Sequence, residues 1–269
     1  MTTVDKKILY IDSRQRVTGT PCDFSVSIAN QSISKAQSIS LLSADIPNSF
    51  YNINSKNNTL SFSLYDKANA NTETSYTVTI DAGNYDSLSF VNAIKTAMNT
   101  PINTYLLTKT NRSTSSNIVS IAVNTLTIKL TISITQTIAG STNELQLKFN
   151  ASSMLNKMGF VASTNIYAIS QTGTNLLDLR TIDDIYIYSS ISNTISLDSS
   201  GKPGSILAKI QNNTPFGETV YYQTFHPELT RMNLVGSSID NIRITLRDSD
   251  GNLLDSNGLE ISLVLAIYL

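Results

Sequence analysis

Apolar and polar residues alternate along most of this chain, and a period of two is typical of β-strands with one buried face. The last stretch shows the pattern best, because apolar residues occupy every second position over 242–246 and again over 259–267. Asp250-Gly251 lies between these two runs, and glycine accepts the positive φ that tight hairpin turns require. The pattern therefore predicts two long strands in this part of the sequence, joined as a β-hairpin.

The same alternation predicts a series of shorter strands with polar loops between them. Many short strands of this kind indicate an all-β sandwich or barrel, and eight or more strands with long loops favour a jelly roll. An immunoglobulin-like domain is disfavoured, because the sequence has no tryptophan and a single cysteine. The predicted strands span residues 24–28, 38–46, 60–64, 76–80, 102–108, 118–123, 126–134, 145–149, 182–188, 191–197, 206–210 and 220–225.

One segment has helical spacing instead, with apolar residues three or four positions apart. Asp86 or Ser87 can cap its start, and Pro101 is expected to close it. We therefore predict an all-β fold, a single jelly-roll sandwich with an inserted helix and extra β-hairpins. Residues 1–21 are expected to form an N-terminal arm or edge strand, and residues 22–269 one jelly-roll domain with insertions around 84–175. The expected packing face of the helix consists of Leu88, Val91, Ile94 and Met98.

Composition narrows the classes of function. Charged residues make up only 14% of the 269 and the formal net charge is -1, which disfavours a nucleic-acid binder because such proteins usually carry a basic patch. The single cysteine, Cys22, precludes an intramolecular disulfide or a thiolate metal cluster within one chain. The sequence has neither the apolar core of a signal peptide nor a membrane-length apolar run, so we expect a soluble, unsecreted protein.

Motifs for catalysis or metal binding are weak. His226 is the only histidine, and without a G-x-S-x-G motif a Ser-His-Asp relay has little support. Asp248, Asp250 and Asp255 resemble a calcium loop at first sight, but their spacing lacks the fifth-position ligand and fits a hairpin turn better. We therefore expect no enzymatic activity, no cofactor and no metal site.

Tyrosines in loops, together with the N-terminal segment, supply the candidate interface residues. A tyrosine ring offers apolar contact and one hydrogen bond, which suits a protein interface. It equally suits sugar binding, so a carbohydrate- or receptor-binding jelly-roll module, lectin-like or phage-type, stays open as the alternative. The candidates are Tyr10, Arg14, Arg16, Tyr51, Tyr85, Tyr221 and Tyr222.

A set of segments follows one another in a characteristic order along the chain. They are residues 8–14 (ILYIDSR), 23–28 (DFSVSI), 40–53 (SLLSADIPNSFYNI), 78–85 (VTIDAGNY), 154–160 (MLNKMGF) and 246–251 (LRDSDG). This ordered set, which covers most of the chain, resembles the penton and minor capsid proteins of large icosahedral double-stranded DNA viruses and virophages.

The resemblance implies a structural capsid protein. By this resemblance, the protein would form a homopentamer at the icosahedral vertex and contact trimers of the major capsid protein. Other minor capsid or spike proteins are further candidate partners. It also implies a place in the capsid shell of the virion, synthesis in the host cytoplasm or virus factory, and no direct contact with nucleic acid. Five copies around a cyclic axis would meet through heterologous contacts, one flank of each subunit against the opposite flank of the next.

Overall fold

Strands account for most of the regular structure in the computed structural model, which describes residues 5–28, 33–67, 72–108, 118–134, 145–161, 166–191, 196–197, 203–234 and 238–269. In chain order the strands are β1 (Lys6–Asp12), β2 (Thr18–Thr20), β3 (Asp23–Ser27), β4 (Ile33–Ser34), β5 (Ser38–Pro47), β6 (Thr59–Asp66), β7 (Thr72–Thr79), β8 (Val119–Val123), β9 (Leu130–Ile134), β10 (Leu145–Phe149), β11 (Ser170–Thr172), β12 (Asp184–Ser189), β13 (Ser196–Leu197), β14 (Pro203–Gly204), β15 (Ile206–Gln211), β16 (Thr219–Gln223), β17 (Met232–Asn233), β18 (Ser238–Ile239), β19 (Asn241–Arg247) and β20 (Ser262–Tyr268). Helix α1 (Ser87–Leu107) follows β7, and short 3-10 turns cover Ser13–Gln15 and Pro227–Thr230.

The chain divides into two compact units, of which the first combines Met1–Phe50 with Ile182–Leu269 and the second is Tyr51–Thr181. The second unit is therefore an insertion between β5 and β12. It begins well before the residue 84 expected from the sequence, because the apolar side chains of β6 share a buried core with α1. The segment expected to be an arm or an edge strand contains β1, which pairs along its whole length with β20; residues 1–4 lie outside the described residues.

Two antiparallel five-stranded sheets form most of the first unit, which also contains the two-stranded pairs β4-β18 and β13-β14. Sheet 1 has the order β1-β20-β5-β16, with β17 also paired to β5, and sheet 2 has the order β15-β12-β19-β3-β2. Side chains of both sheets meet in one buried core that includes Ile39, Leu265, Phe24, Ile187 and Ile244. The chain passes between the two sheets in the strand order of a jelly roll, with eight main strands, so the predicted fold class is confirmed.

The two terminal strands form as predicted, but the hairpin expected between them is wrong, because they belong to different sheets. The turn between them exists: Gly251 has a φ of 80°, and its N–H donates to the Asp248 carbonyl at 3.1 Å. After the turn the chain crosses over, so that β19 pairs with β12 and β3 in sheet 2. Strand β20 pairs with β1 and β5 in sheet 1.

The second unit consists of two three-stranded antiparallel sheets and α1. The sheet orders are β10-β6-β7 and β11-β9-β8. Apolar side chains from both sheets and from α1 form one core, in which Phe62, Phe90, Ile94 and Ile132 are at most 1% exposed.

Helix α1 is longer than predicted, and the predicted strand over 102–108 is wrong. Pro101 lies inside the helix, and buried Ile102, Tyr105 and Leu106 continue the three-and-four spacing beyond it. The Asp86 side chain caps the start by accepting the Ser89 N–H at 2.7 Å. No helix within the described ranges is long and apolar enough to span a bilayer.

The packing face of α1 also differs from the predicted one at its start. Leu88 is 68% exposed, whereas Phe90, Ile94 and Met98 are fully buried. The helix packs on the strands of its own inserted unit. The apolar side chains of these strands are the closest to α1 in the sequence.

One predicted strand is shorter in the structure, and another lies partly outside the described residues. Strand β9 begins at Leu130 and not at residue 126, because the Asn124 side chain accepts the N–H groups of Leu126 and Thr127, both at 2.9 Å, and closes a turn there. Of the predicted strand over 191–197, residues 192–195 lie outside the described residues, and Ser196–Leu197 form β13.

Candidate assembly surface

The outer face of sheet 1 carries a row of side chains that crosses four strands. Ser262 on β20 lies opposite Asp12 on β1 and opposite Asp45 on β5. Tyr221 on β16 lies opposite Asp45 on its other side. Directly opposite residues share one face of a sheet, and a groove of about 380 Å³ follows this row. We call it the sheet-1 groove; it is lined by Asp12, Arg14, Asp45, Pro47, Thr219, Tyr221, Glu260, Ile261 and Ser262.

Arg14 reaches the sheet-1 groove through its contact with Asp12. Its Nε donates to both Asp12 carboxylate oxygens at 3.0 Å, and Asp12 also accepts the Arg14 N–H at 2.9 Å, which caps the 3-10 turn after β1. The guanidinium hydrogen bond is the main cause that holds the pKa of Asp12 below its usual value. The Arg14 side chain is 73% exposed, so a partner could reach this cation.

Arg16 contributes to the groove indirectly. Its Nη1 donates to both oxygens of Glu260, at 2.8 and 2.7 Å, and the Ser13 hydroxyl donates to the same carboxylate. The Arg16 hydrogen bond, followed by that of Ser13, lowers the pKa of Glu260. Glu260 lines the groove, whereas Arg16 fixes its position.

Exposed tyrosines stand on the two edge strands of sheet 1. Tyr10 on β1 is 75% exposed and Tyr221 on β16 is 78% exposed. Tyr222 points to the other side of β16, where it is half-buried and packs against the jelly-roll core. The fold therefore brings Arg14 and Tyr221 to one groove, puts Tyr10 on the same sheet face, and leaves Tyr222 out.

The two remaining candidate interface residues, Tyr51 and Tyr85, lie in the second unit. The Tyr85 N–H donates to the Asn52 side chain at 2.9 Å, and its hydroxyl donates to the Asp81 carbonyl at 2.8 Å. Its ring meets Phe90 edge-on, with centroids 6.1 Å apart, and desolvation is the main cause that raises its pKa. Tyr85 thus braces the entry to α1, while Tyr51 is half-buried.

The second unit has a larger concavity that sequence reasoning missed. It measures about 890 Å³, and we call it the Ile128 groove. Ile128 has a φ of 52°, which is rare for a β-branched residue. The alternation that continues through residues 126–134 hid this bend; the turn-forming Asn124 was the available signal. The groove is lined by Ile128, Lys129, Asn156, Thr174, Asn175, Leu176, Leu177, Asp178 and Arg180.

The residues considered for catalysis or metal binding have local partners. His226 Nδ1 lies 3.1 Å from the Glu228 carboxylate on an exposed loop. The Asp248 carboxylate accepts the N–H groups of Asp250 and Asn252, at 3.0 and 2.7 Å, which is the bonding of a turn. In the part of the chain that the structure describes, no three His, Cys, Asp or Glu side chains are grouped as a metal site requires.

The strand order and the insertion after β5 define a single jelly-roll protein with an inserted helix-containing unit. The crystal structure of the selenomethionine-labelled mavirus penton protein is similar to this chain, with a TM-score of 0.51 over 98% of this chain and 99% of that one, at 13% sequence identity. No protein-family model and no curated protein matches the sequence. The predicted resemblance to penton proteins is thus confirmed at the level of the fold.

Proposed function

We propose that this protein is a structural component of an icosahedral virus capsid, a penton protein that forms pentamers at the vertices and contacts trimers of the major capsid protein. The observation that carries the proposal is the similarity to the mavirus penton protein over nearly the full length of both chains. It spans the jelly roll and the inserted unit together. The partners are accordingly other copies of this chain and the major capsid protein, and the location is the virion shell.

The surface chemistry of sheet 1 supports a role in assembly. Tyr10 and Tyr221, on the two edge strands, expose large amphipathic rings, and exposed tyrosines are enriched in protein interfaces. Two of the three carboxylates in the groove are paired with cations, Asp12 with Arg14 and Glu260 with Arg16. The third, Asp45, accepts a hydrogen bond from the Ser262 hydroxyl at 3.2 Å, so a partner that covers this face needs to compensate only this carboxylate. The net charge of -1 also keeps repulsion between copies small.

Native mass spectrometry of the purified protein tests the proposal. We expect a species of five times the 29.3 kDa chain mass, either for the protein alone or after addition of the major capsid protein of the same virus. Negative-stain images should show five-fold rings. A protein that stays monomeric under both conditions would contradict the penton role.

A glycan array separates this proposal from the carbohydrate-binding alternative. Tyr221 is the most exposed aromatic residue of the sheet-1 groove, so Tyr221→Ala should abolish any sugar binding at this site. A monomeric protein with Tyr221-dependent glycan binding would favour the binding-module function. Pentamers without such binding would favour the capsid function.

A further inference from the structure

We propose that residues 225–229 of one copy of this chain dock into the Ile128 groove of a second copy. The inference rests on the proposed function, since a ring of identical subunits needs one contact that repeats, and it names that contact. The two surfaces lie on different units of the chain and differ in shape and charge. The contact is therefore heterologous, the kind that repeats head to tail around a ring.

Residues 225–229 form an exposed apolar tip. Phe225 is 84% exposed and Leu229 is 80% exposed, although large apolar side chains on a soluble surface are usually scattered singly. Pro227 begins a 3-10 turn between them, and the Leu229 N–H donates to the His226 carbonyl at 3.0 Å. The tip therefore has a defined local shape.

Contacts at both ends hold this tip in place. Before it, the Thr224 N–H donates to the Leu42 carbonyl at 2.9 Å. After it, the Arg231 guanidinium stacks on the Tyr268 ring at 3.7 Å, and β17 pairs with β5. An element that is already ordered loses little conformational entropy when it binds, which favours affinity.

The Ile128 groove presents a matching pair of apolar side chains. Ile128 is 51% exposed and Leu176 is 55% exposed. Main-chain hydrogen bonds fix the groove wall: the Leu177 N–H donates to the Ile128 carbonyl at 2.9 Å, and the Asn175 N–H donates to the Gly159 carbonyl at 2.9 Å. The left-handed backbone of Ile128 costs free energy, and such strain concentrates at functional surfaces.

The charges of the two surfaces are complementary. Lys129 and Arg180 line the groove with one carboxylate, Asp178, so its charged residues sum to one positive charge. The tip carries Glu228 between its two apolar residues, with 61% of the side chain exposed. Docking would bring an apolar–acidic–apolar tip against an apolar groove with an excess of cations.

Cysteine cross-linking of the full-length chain tests this contact directly. One preparation carries Leu229→Cys and the other Leu176→Cys; the native Cys22 is 1% exposed and should not react. After mixing and mild oxidation, we expect at least five times more mixed disulfide dimer than in a control that pairs Leu229→Cys with Leu88→Cys. Leu88 is a fair control because it is 68% exposed on α1.

Charge reversal supplies the second readout. Adding Glu228→Lys to the tip preparation, or Lys129→Glu to the groove preparation, should lower the cross-linking to the control level. Combining the two reversals should restore most of it, because the charges again oppose each other. Such restoration is not expected if either substitution merely perturbs the fold.

The outcomes separate this inference from the penton proposal. Cross-linking at the control level overturns the docking, even if the wild-type protein forms pentamers. Specific cross-linking with no pentamer under any condition supports the docking and contradicts the vertex ring. Cross-linking between copies could stay at the control level while a groove variant no longer binds the major capsid protein. That result would assign the groove to the major capsid protein, and it would also overturn the inference.

Discussion

Arg16 lies against Glu260, with its Nη1 donating to both carboxylate oxygens at 2.8 and 2.7 Å. Two further hydrogen bonds join the same two segments. The Ser13 N–H donates to the Ile261 carbonyl at 3.0 Å, and the Ile261 N–H donates to the side-chain hydroxyl of Ser13 at 2.9 Å. The turn after β1 is thereby tied to the residues that lead into β20. The ion pair therefore helps to hold β1 against β20 at one edge of sheet 1.

Acidification should weaken the first unit through this pair and a similar one. Hydrogen bonds from Arg16 and then Ser13 lower the pKa of Glu260, and one from Arg243 lowers the pKa of Asp23. A lowered pKa in the folded state means that the stabilisation is complete above the unfolded values, near pH 4, and is lost as the pH falls through the folded values. Urea unfolding at a series of pH values should show the free energy of unfolding decreasing over this acidic range.

Neutral variants of the same carboxylates isolate the contribution. Glu260→Gln should cost about 0.5–1 kcal/mol at pH 7, as expected for a partly exposed ion pair, and almost nothing at a pH below the folded pKa. Its free energy of unfolding should therefore fall less steeply with acid than that of the wild type. Parallel pH profiles for variant and wild type would disagree with this account.

Placing a charge in the core of the second unit should be strongly destabilising. Ile94 is 1% exposed, so Ile94→Asp would bury a carboxylate without a partner and should cost about 3–5 kcal/mol. Leu88→Asp is the matched control, because Leu88 is 68% exposed in the first turn of α1, where a negative charge is favourable. In thermal unfolding, the stability of Leu88→Asp should lie within about 0.5 kcal/mol of the wild type. Equal losses of stability in the two variants would contradict the assignment of Ile94 to the buried face of α1.

Two glycines with nearly the same backbone should differ in their tolerance of alanine. Gly159 and Gly251 have φ values of 78° and 80°. A methyl group on Gly159 would overlap the Asn175 carbonyl oxygen, whereas nothing lies within 4 Å of one on Gly251. We expect Gly251→Ala to cost about 1 kcal/mol from backbone strain alone, and Gly159→Ala about 3 kcal/mol or more. Chemical denaturation measures both, and similar losses would contradict the close approach at Gly159.

Replacing the proline within α1 should stabilise the second unit. Pro101 has no N–H to donate to the preceding turn, and a proline in a helix interior is about 3 kcal/mol less favourable than alanine. The helix nevertheless continues to Leu107, so an alanine would fit the same backbone and restore one hydrogen bond. Pro101→Ala should raise the free energy of unfolding by about 1–3 kcal/mol. A loss of stability would mean that the ring of Pro101 packs in a way that alanine cannot replace.

Alternation was a reliable guide where one face of a strand is buried, as at 145–149 and 242–246, which form β10 and β19. The prediction of a strand over 102–108 failed for a different reason. Ile102 and Tyr105 have helical spacing, but Pro101 just before them suggested an end to the helix. The Asp250-Gly251 signal predicted that β19 and β20 pair as a hairpin. Alternation carries no information on pairing partners, so the assignment of the two strands to different sheets could not be predicted.

The candidate surface was only partly predictable for the same reason. Arg14 and Tyr221 are more than two hundred positions apart, and the register of four strands brings them to one groove. The separation of Tyr221 from Tyr222 had a usable signal, because Val220 and Tyr222 share one face of β16 and Val220 is apolar. The bend at Ile128 depends on a side-chain hydrogen bond of Asn124, which alternation does not register.

The pairing of β1 with β20 sets an order for folding during synthesis. β1 comes early in this sequence and β20 late, so sheet 1 remains without one of its central strands until β20 has been synthesised. The second unit, Tyr51–Thr181, is continuous in the chain and contains all the strands it pairs, so it can fold earlier. Until β20 arrives, the unpaired edges of β1 and β5 are open to wrong partners, and chaperones have their greatest opportunity to act on this protein in that interval.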